Sequence, residues 1–176
     1  GVSPDRINVV AGDTATSPLG LGGFASRQLV TAGSSVHLAA KAVSAKAKRL
    51  ASHLMDIDEA ALDLVDGRVS VRGGNNSVSL GELAGILRGA PGYGFPADLE
   101  PGLSAAMHWR SDALAYANAC HVVEVEVDVA LCHVRIERYV AFHDSGRRIN
   151  PMIVDGQVVG GIVHGIGNAL YELMAY

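Results

Sequence analysis

Asp144-Ser-Gly-Arg-Arg-Ile-Asn150-Pro151-Met-Ile-Val-Asp-Gly156-Gln157 runs without a break into Val-Val-Gly160-Gly161-Ile-Val-His164-Gly165-Ile-Gly167-Asn-Ala-Leu-Tyr-Glu172. A polar loop thus feeds an apolar segment with helical spacing. Asn150 followed by Pro151 marks the helix start, because Asn caps a helix N-terminus and Pro suits the first helical position. The same segment carries Gly156, Gly160, Gly161, Gly165 and Gly167. Each glycine costs about 1 kcal/mol in a helix relative to alanine, so the segment is expensive unless a neighbour presses against the bare backbone. The pattern predicts a helix built to touch something closely.

Upstream, Val123-Glu-Val-Glu-Val127 alternates apolar and acidic residues, the signature of an antiparallel strand with one wet face. Residues 133–140 return as its partner. Residues 62–65 and 69–71 flank Asp66-Gly67, a pair that favours the positive φ of a tight hairpin. From residue 25 to 55, Leu29, Val36, Ala39, Ala40, Val43, Ala47, Leu50 and Leu54 recur at helical spacing, which predicts a long helix broken near Gly33. Residues 6–10 read as a short strand and residues 80–87 as a short helix. The prolines and glycines of residues 89–102 mark a loop. Helices and strands without regular alternation give an α+β fold: an antiparallel or mixed sheet, one long helix, and the glycine-rich C-terminal helix packed on it.

At 176 residues the chain has the length of one domain, able to bury about two-thirds of its unfolded surface. The net charge of -4 comes without a block of like charges, which argues against nucleic-acid binding and a polybasic membrane anchor. No apolar run reaches the roughly 20 residues of a membrane span. Gly1-Val-Ser-Pro-Asp-Arg lacks the features of a signal peptide and reads as a truncated or processed end. Two cysteines, Cys120 and Cys132, fit a reducing compartment such as the cytoplasm.

Gly20-Leu-Gly22-Gly23-Phe24-Ala25 matches the dinucleotide fingerprint G-x-G-x-x-A. About ten loop residues separate it from the preceding strand, and no acidic residue comes some twenty positions on to hold a ribose. The spot still suits an anion, since glycines bare backbone N–H groups and a helix N-terminus is partially positive. No nucleophile elbow, Walker loop or zinc-ligand spacing is present, and the turn position of Cys132 argues against a metal shared with Cys120.

Three blocks resemble the molybdenum-cofactor-binding large subunit of the molybdenum hydroxylases, the family of xanthine dehydrogenases, aldehyde oxidoreductases and aerobic carbon monoxide dehydrogenases. They are the C-terminal stretch quoted above, the Gly12-Asp13-Thr14 segment with Gly22-Gly23-Phe24-Ala25-Ser26-Arg27, and Ala115-Tyr116-Ala-Asn-Ala-Cys-His121 leading into the valine strand. The resemblance covers nearly the whole chain. It implies a single portion, residues 1–176, of a molybdopterin-binding domain belonging to its C-terminal part.

The resemblance further implies that Gly23, Phe24, Ala25, Ser26 and Arg27 contact the cofactor, largely through backbone N–H and hydroxyl groups. Asp144, Asn150, Ile153 and Gln157 would serve it from the second region. Relatives often have Thr-x-Gly-Ser-Arg-Ser where this chain has Gly23, Ala25 and Gln28, which removes a hydroxyl at each end. A blander reading stands beside each assignment: Ser26 as a helix cap, Asn150 as an N-cap, Asp144 as a turn residue, and His164 as a packing residue. Capping does not explain Gln157, whose amide both donates and accepts. The chain also departs from the family's glycine-containing turn at Val129-Ala-Leu-Cys132, so a bulged or unusual turn is expected there.

The cofactor implied by the resemblance is molybdopterin, including its cytosine dinucleotide form, with iron–sulfur clusters and FAD on other domains or subunits. Partners would be a small-molecule substrate, the iron–sulfur and flavin subunits, the rest of the large subunit and further copies of the chain. The family's catalytic Gly-x-Gly-Glu segment and upstream Gly-Gly-x-Phe-Gly segment are missing from these residues, so the chain alone is expected to be inactive. The alternative is a non-catalytic assembly module that keeps the fold without cofactor.

Overall fold

The computed structural model describes residues 1–16, 20, 22–88, 96–114, 116–173 and 175. The chain divides into two compact units, Gly1–Ser111 and Asp112–Tyr176.

Unit 1 is built on helix α1, Ser34–Met55, whose Ala47, Leu50 and Ala51 are fully buried. Spacings of three and four residues put these side chains on one helical face. That face meets a three-stranded antiparallel sheet of β1 (Leu62–Val65), β2 (Arg68–Val71) and β3 (Ser77–Ser79), in the order β1-β2-β3. Leu62 and Val69 from the sheet, Leu83 and Leu87 from the region of α2 (Leu80–Ile86), and Leu99 complete the core.

The β1–β2 connection is the expected two-residue turn, with Asp66 at φ 48° and Gly67 at φ 74°, the mirror-image turn that matches strand twist. Helix α2 begins with a capping box. The Glu82 amide donates to Ser79 Oγ at 3.1 Å, and the Ser79 amide donates to the Glu82 carboxylate at 2.8 Å. Helix α1 ends at Asp56, which is left-handed at φ 54°. Of the expected loop at residues 89–102, residues 89–95 lie outside the described residues. The Gly102 amide donates to Leu87 O at 2.8 Å and so ties the later part to the core.

Two expectations for unit 1 need correction. The long helix does not start at residue 25: Ala25 and Ser26 adopt left-handed backbone, and a π-helical turn, Leu29–Gly33, precedes α1. The expected break near Gly33 is this change of winding. The expected strand at residues 6–10 is not formed among the described residues: a 3-10 turn takes up Pro4–Arg6, and Ile7 after it is extended. Ile7, Val9 and Val10 are exposed there.

Unit 2 consists of a long antiparallel hairpin, β4 (Asn118–Asp128) with β5 (His133–Asp144), and helix α3 (Pro151–Leu170). The connecting residues are held by Asp128, whose carboxylate accepts from the amides of Ala130 and Leu131 at 2.9 Å, and Cys132 closes the turn at φ 51°. The turn is thus unusual as expected, but the bulge lies elsewhere. Glu124 pairs with Arg138 and Val125 with Ile136, leaving Glu137 as the extra residue in β5.

The C-terminal part of α3 lies beside the valine face of the hairpin. Val123, Val125, Ile136 and Tyr139 line a shallow apolar groove with Ile166 and Leu170. Even so, Val123, Val125 and Val127 are all exposed. The expectation of one dry face is not met within the described residues.

Candidate functional site

The residues singled out from sequence fall in both units, and each group has its own local architecture. In unit 1 they form a turn ahead of the first helical winding. Ala25 and Ser26 sit at φ 56° and 49°, a conformation that non-glycine residues rarely take because Cβ crowds the following carbonyl. On either side of them, the Arg27 guanidinium carbon lies 4.2 Å from the centre of the Phe24 ring. The first helical winding has Gln28 at its N-cap position, without a side-chain bond from it. Instead the Arg27 carbonyl accepts from the Thr31 amide at 3.0 Å and the Thr31 hydroxyl at 3.2 Å. Every residue from Gly22 to Gln28 is exposed.

The glycines here make room for neighbours. A Cβ on Gly22 would sit 3.2 Å from the Phe24 ring edge, and one on Gly23 would sit 2.7 Å from Gln28 Nε2. The Gln28 side chain therefore folds back over the bare backbone of Gly23. Sequence reasoning missed both this packing and the Phe24–Arg27 stack. The available signal was an aromatic residue and an arginine three positions apart across a turn.

In unit 2, Asp144 ends β5 and accepts from the Gly146 amide at 2.9 Å, with Gly146 at φ 72°. It is a turn residue, as the blander reading had it. Asn150 is the N-cap of α3, its Oδ1 accepting from the Ile153 amide at 3.4 Å. Ile153 has thus committed its N–H to the cap, while its side chain is exposed. Gln157 lies one turn further along the helix. Arg147 and Arg148, both exposed in the loop before the cap, add positive charge that the sequence reading left unassigned.

Helix α3 has two different sides. Val154, Val158, Ile162 and Ile166, four residues apart, form its half-buried line. Gly156 and Gly160 are each two residues from Val158, which places them on the opposite side at about 100° per residue. A Cβ built on Gly156, Gly160, Gly161 or Gly165 meets no atom within 4 Å. The neighbour that the glycines anticipate is absent from the described residues. His164 is exposed, and no described residue packs over it. Cys120 and Cys132 are both free and exposed.

Among the described residues there is no group of three or more His, Cys, Asp or Glu able to hold a metal ion, and no helix long and apolar enough to cross a membrane. The chemistry on offer is that of recognition: hydroxyl and amide side chains and arginines beside two helix entrances.

Comparison with known proteins identifies the ligand class. The model of the molybdopterin cofactor-binding domain matches residues 1–176. The chain is 34% identical over 177 residues to the carbon monoxide dehydrogenase large chain of Hydrogenophaga pseudoflava, covering 100% of this chain and 22% of that one. It is 37% identical over 175 residues to the 6-hydroxypseudooxynicotine dehydrogenase complex subunit gamma of Paenarthrobacter nicotinovorans, covering 99% and 22% respectively. The crystal structure of the Cu,Mo-CO dehydrogenase in its carbon monoxide reduced state superposes with a TM-score of 0.78 at 33% identity, over 93% of this chain and 20% of that one. The chain thus spans about a fifth of the length of these relatives. It belongs to the molybdopterin cofactor-binding domain family of the molybdenum hydroxylases.

Proposed function

We propose that residues 1–176 act as one portion of the cofactor domain of a molybdenum hydroxylase large subunit. Residues 23–27 of unit 1, and Asp144, Asn150, Ile153 and Gln157 of unit 2, each contribute contacts to a molybdopterin. The observation that carries this reading is the open side of α3, where Gly156 and Gly160 leave bare backbone beside a polar, capped entrance. A glycine-rich helix costs stability that only a close neighbour returns, and the family match gives that neighbour a chemical class.

The donor set suits such a group. A pterin edge asks for paired donors and acceptors, which the Gln157 amide has, and a phosphate asks for N–H groups and cations. Hydroxyl and backbone donors at Ser26, with Arg147 and Arg148, answer the second need. When bound, the cofactor supplies the two-electron oxidation that inserts a water-derived oxygen into a C–H bond or oxidises carbon monoxide. The chain's own part is to bind and orient that group. Asn150 fixes the start of α3, and with it the direction in which Gln157 and the glycine line face.

In this reading the substrate is a small molecule such as an aldehyde, a heteroaromatic compound or carbon monoxide. Iron–sulfur and flavin subunits carry the electrons away, and the assembly works in the cytoplasm, where the free cysteines stay reduced. The cytosine dinucleotide form of the cofactor belongs to the same proposal. The test is to produce the complete large subunit with its partner subunits and measure bound molybdenum and pterin, in the parent and in Gln157→Leu. Loss of both in the variant, with folding intact, is expected; a folded parent carrying neither would end the proposal.

The second reading, a self-associating assembly module, is favoured by one observation: the valine face of β4 is exposed along its length. A stable, concentration-independent oligomer with no pterin absorbance is the result that would select it.

A further inference from the structure

From the geometry of residues 22–28 we infer that Phe24 and Arg27 are positioning residues. Stacked on each other, they hold Ala25 and Ser26 in the left-handed turn that presents Ser26. The inference rests on the cofactor reading above and gives these two side chains a role distinct from touching the ligand.

A left-handed non-glycine residue is disfavoured about five- to thirtyfold against the ordinary helical region. Two in succession persist only where the surroundings over-determine them. Here the turn is exposed, with no core to impose its shape. Local contacts among the described residues surround it. The Arg27 guanidinium lies 4.2 Å from the Phe24 ring centre and so bridges the ends of the two strained residues. The Phe24 ring also lies over the bare backbone of Gly22, itself at φ 83°, where an added Cβ would sit 3.2 Å from the ring edge. Gln28 folds over Gly23, and Thr31 holds the Arg27 carbonyl with two hydrogen bonds. The turn is thus gripped from both sides, and the stack is the one among these contacts that spans it directly.

Arginine suits this job better than lysine, because its planar group covers a ring face while keeping its charge. The stack is an exposed cation–π contact, which favours the stacked form about two- to fivefold. It therefore acts as one grip among several. Ala25 is the natural place for a compensating change, since glycine takes positive φ without the Cβ penalty.

The experiment uses the complete large subunit with its partners and four variants: Arg27→Gln, Phe24→Leu, their double, and Arg27→Gln combined with Ala25→Gly. Two quantities are read: the rate at which bound molybdenum and pterin are lost, and amide hydrogen exchange at residues 25–28 in cofactor-free protein. Each single variant is expected to speed both about two- to fivefold. The double should be no worse than either single, and Ala25→Gly should restore Arg27→Gln. A fast Arg27→Gln beside a Phe24→Leu that behaves like the parent would overturn the inference, because Arg27 would then act through its charge on the ligand. Failure of Ala25→Gly to rescue would overturn it too. A parent without cofactor would instead sink the functional reading, while exchange would still report on the stack.

Discussion

Unit 2 holds the longest strands of the chain and a 20-residue helix, yet none of its described residues is buried; unit 1 has short strands and contains every buried side chain among the described residues. The difference shows that regular structure and stability are separate matters. Strands β4 and β5 satisfy each other's backbone, which makes them a hairpin, but their side chains gain little from water exclusion. In unit 1 the face of α1, the sheet and α2 exclude water jointly. Unit 1 is organised around its own core, and unit 2 is organised around surfaces that the described residues leave uncovered.

The sharpest way to break this contrast is to cut into the core of unit 1. Leu50 is fully buried among Ala47, Ala51 and the sheet. Leu50→Ala removes its transfer energy and leaves a cavity, costing about 2–5 kcal/mol. Val125→Ala, at a side chain 49% exposed, is expected to cost under about 1 kcal/mol. Urea unfolding with hydrogen exchange resolved by unit measures both. Equal losses would mean that unit 2 has a core of comparable weight.

How far the sequence announced this depends on the range of the interactions involved. The Asp66-Gly67 turn, the Asn150-Pro151 helix start and the period of α1 are local, decided by a few neighbouring residues, and they were legible. The Ser79-x-x-Glu82 capping box is equally local and carries its own signature, but the reading passed over it. The left-handed pair at Ala25 and Ser26 was not legible, since no alanine advertises positive φ. It depends on Phe24, Arg27 and Gln28 acting together. The bulge at Glu137 was hidden for another reason: it exists only relative to the register of β4. The alternation of Val123, Val125 and Val127 correctly indicated a strand, but a valine face says only that something should cover it. At the candidate site, the family blocks pointed to both segments, while the open space beside Gly156 and Gly160 needed coordinates.

The second test acts on that open space. With no atom within 4 Å of a Cβ at Gly156 or Gly160, alanine meets no clash there and removes the entropic cost of glycine. Gly156→Ala with Gly160→Ala is expected to stabilise α3 in this chain by about 2 kcal/mol in total, read as slower hydrogen exchange along the helix. In the complete large subunit the same pair is expected to lower bound molybdenum and pterin, because the added methyl groups stand where the neighbour approaches. Opposite signs in the two settings would sharpen the contrast between the units. Unchanged helix stability in this chain would show that the glycine side is already covered.

The smallest expected effect lies at the surface of unit 1, at two bonded carboxylates. The Ser79 hydroxyl and amide hold the Glu82 carboxyl below its usual range, and the Arg72 guanidinium, bonded to Asp63 at 3.1 Å, does the same for Asp63. Both groups have lower values in the folded state, so their contribution is complete above the unfolded values of about 4. As the pH falls below that, the unfolded chain takes up protons first and the contribution fades. It is gone once the pH has passed through the lowered folded values. Ser79→Ala removes the cap of α2, at about 1 kcal/mol near neutral pH, and also one cause of the Glu82 shift. The variant should therefore lose less stability between pH 5 and pH 3 than the parent does, as followed by urea unfolding of unit 1 at stepped pH. Parallel acid profiles for the two proteins would show that the Ser79–Glu82 bond does not persist in solution.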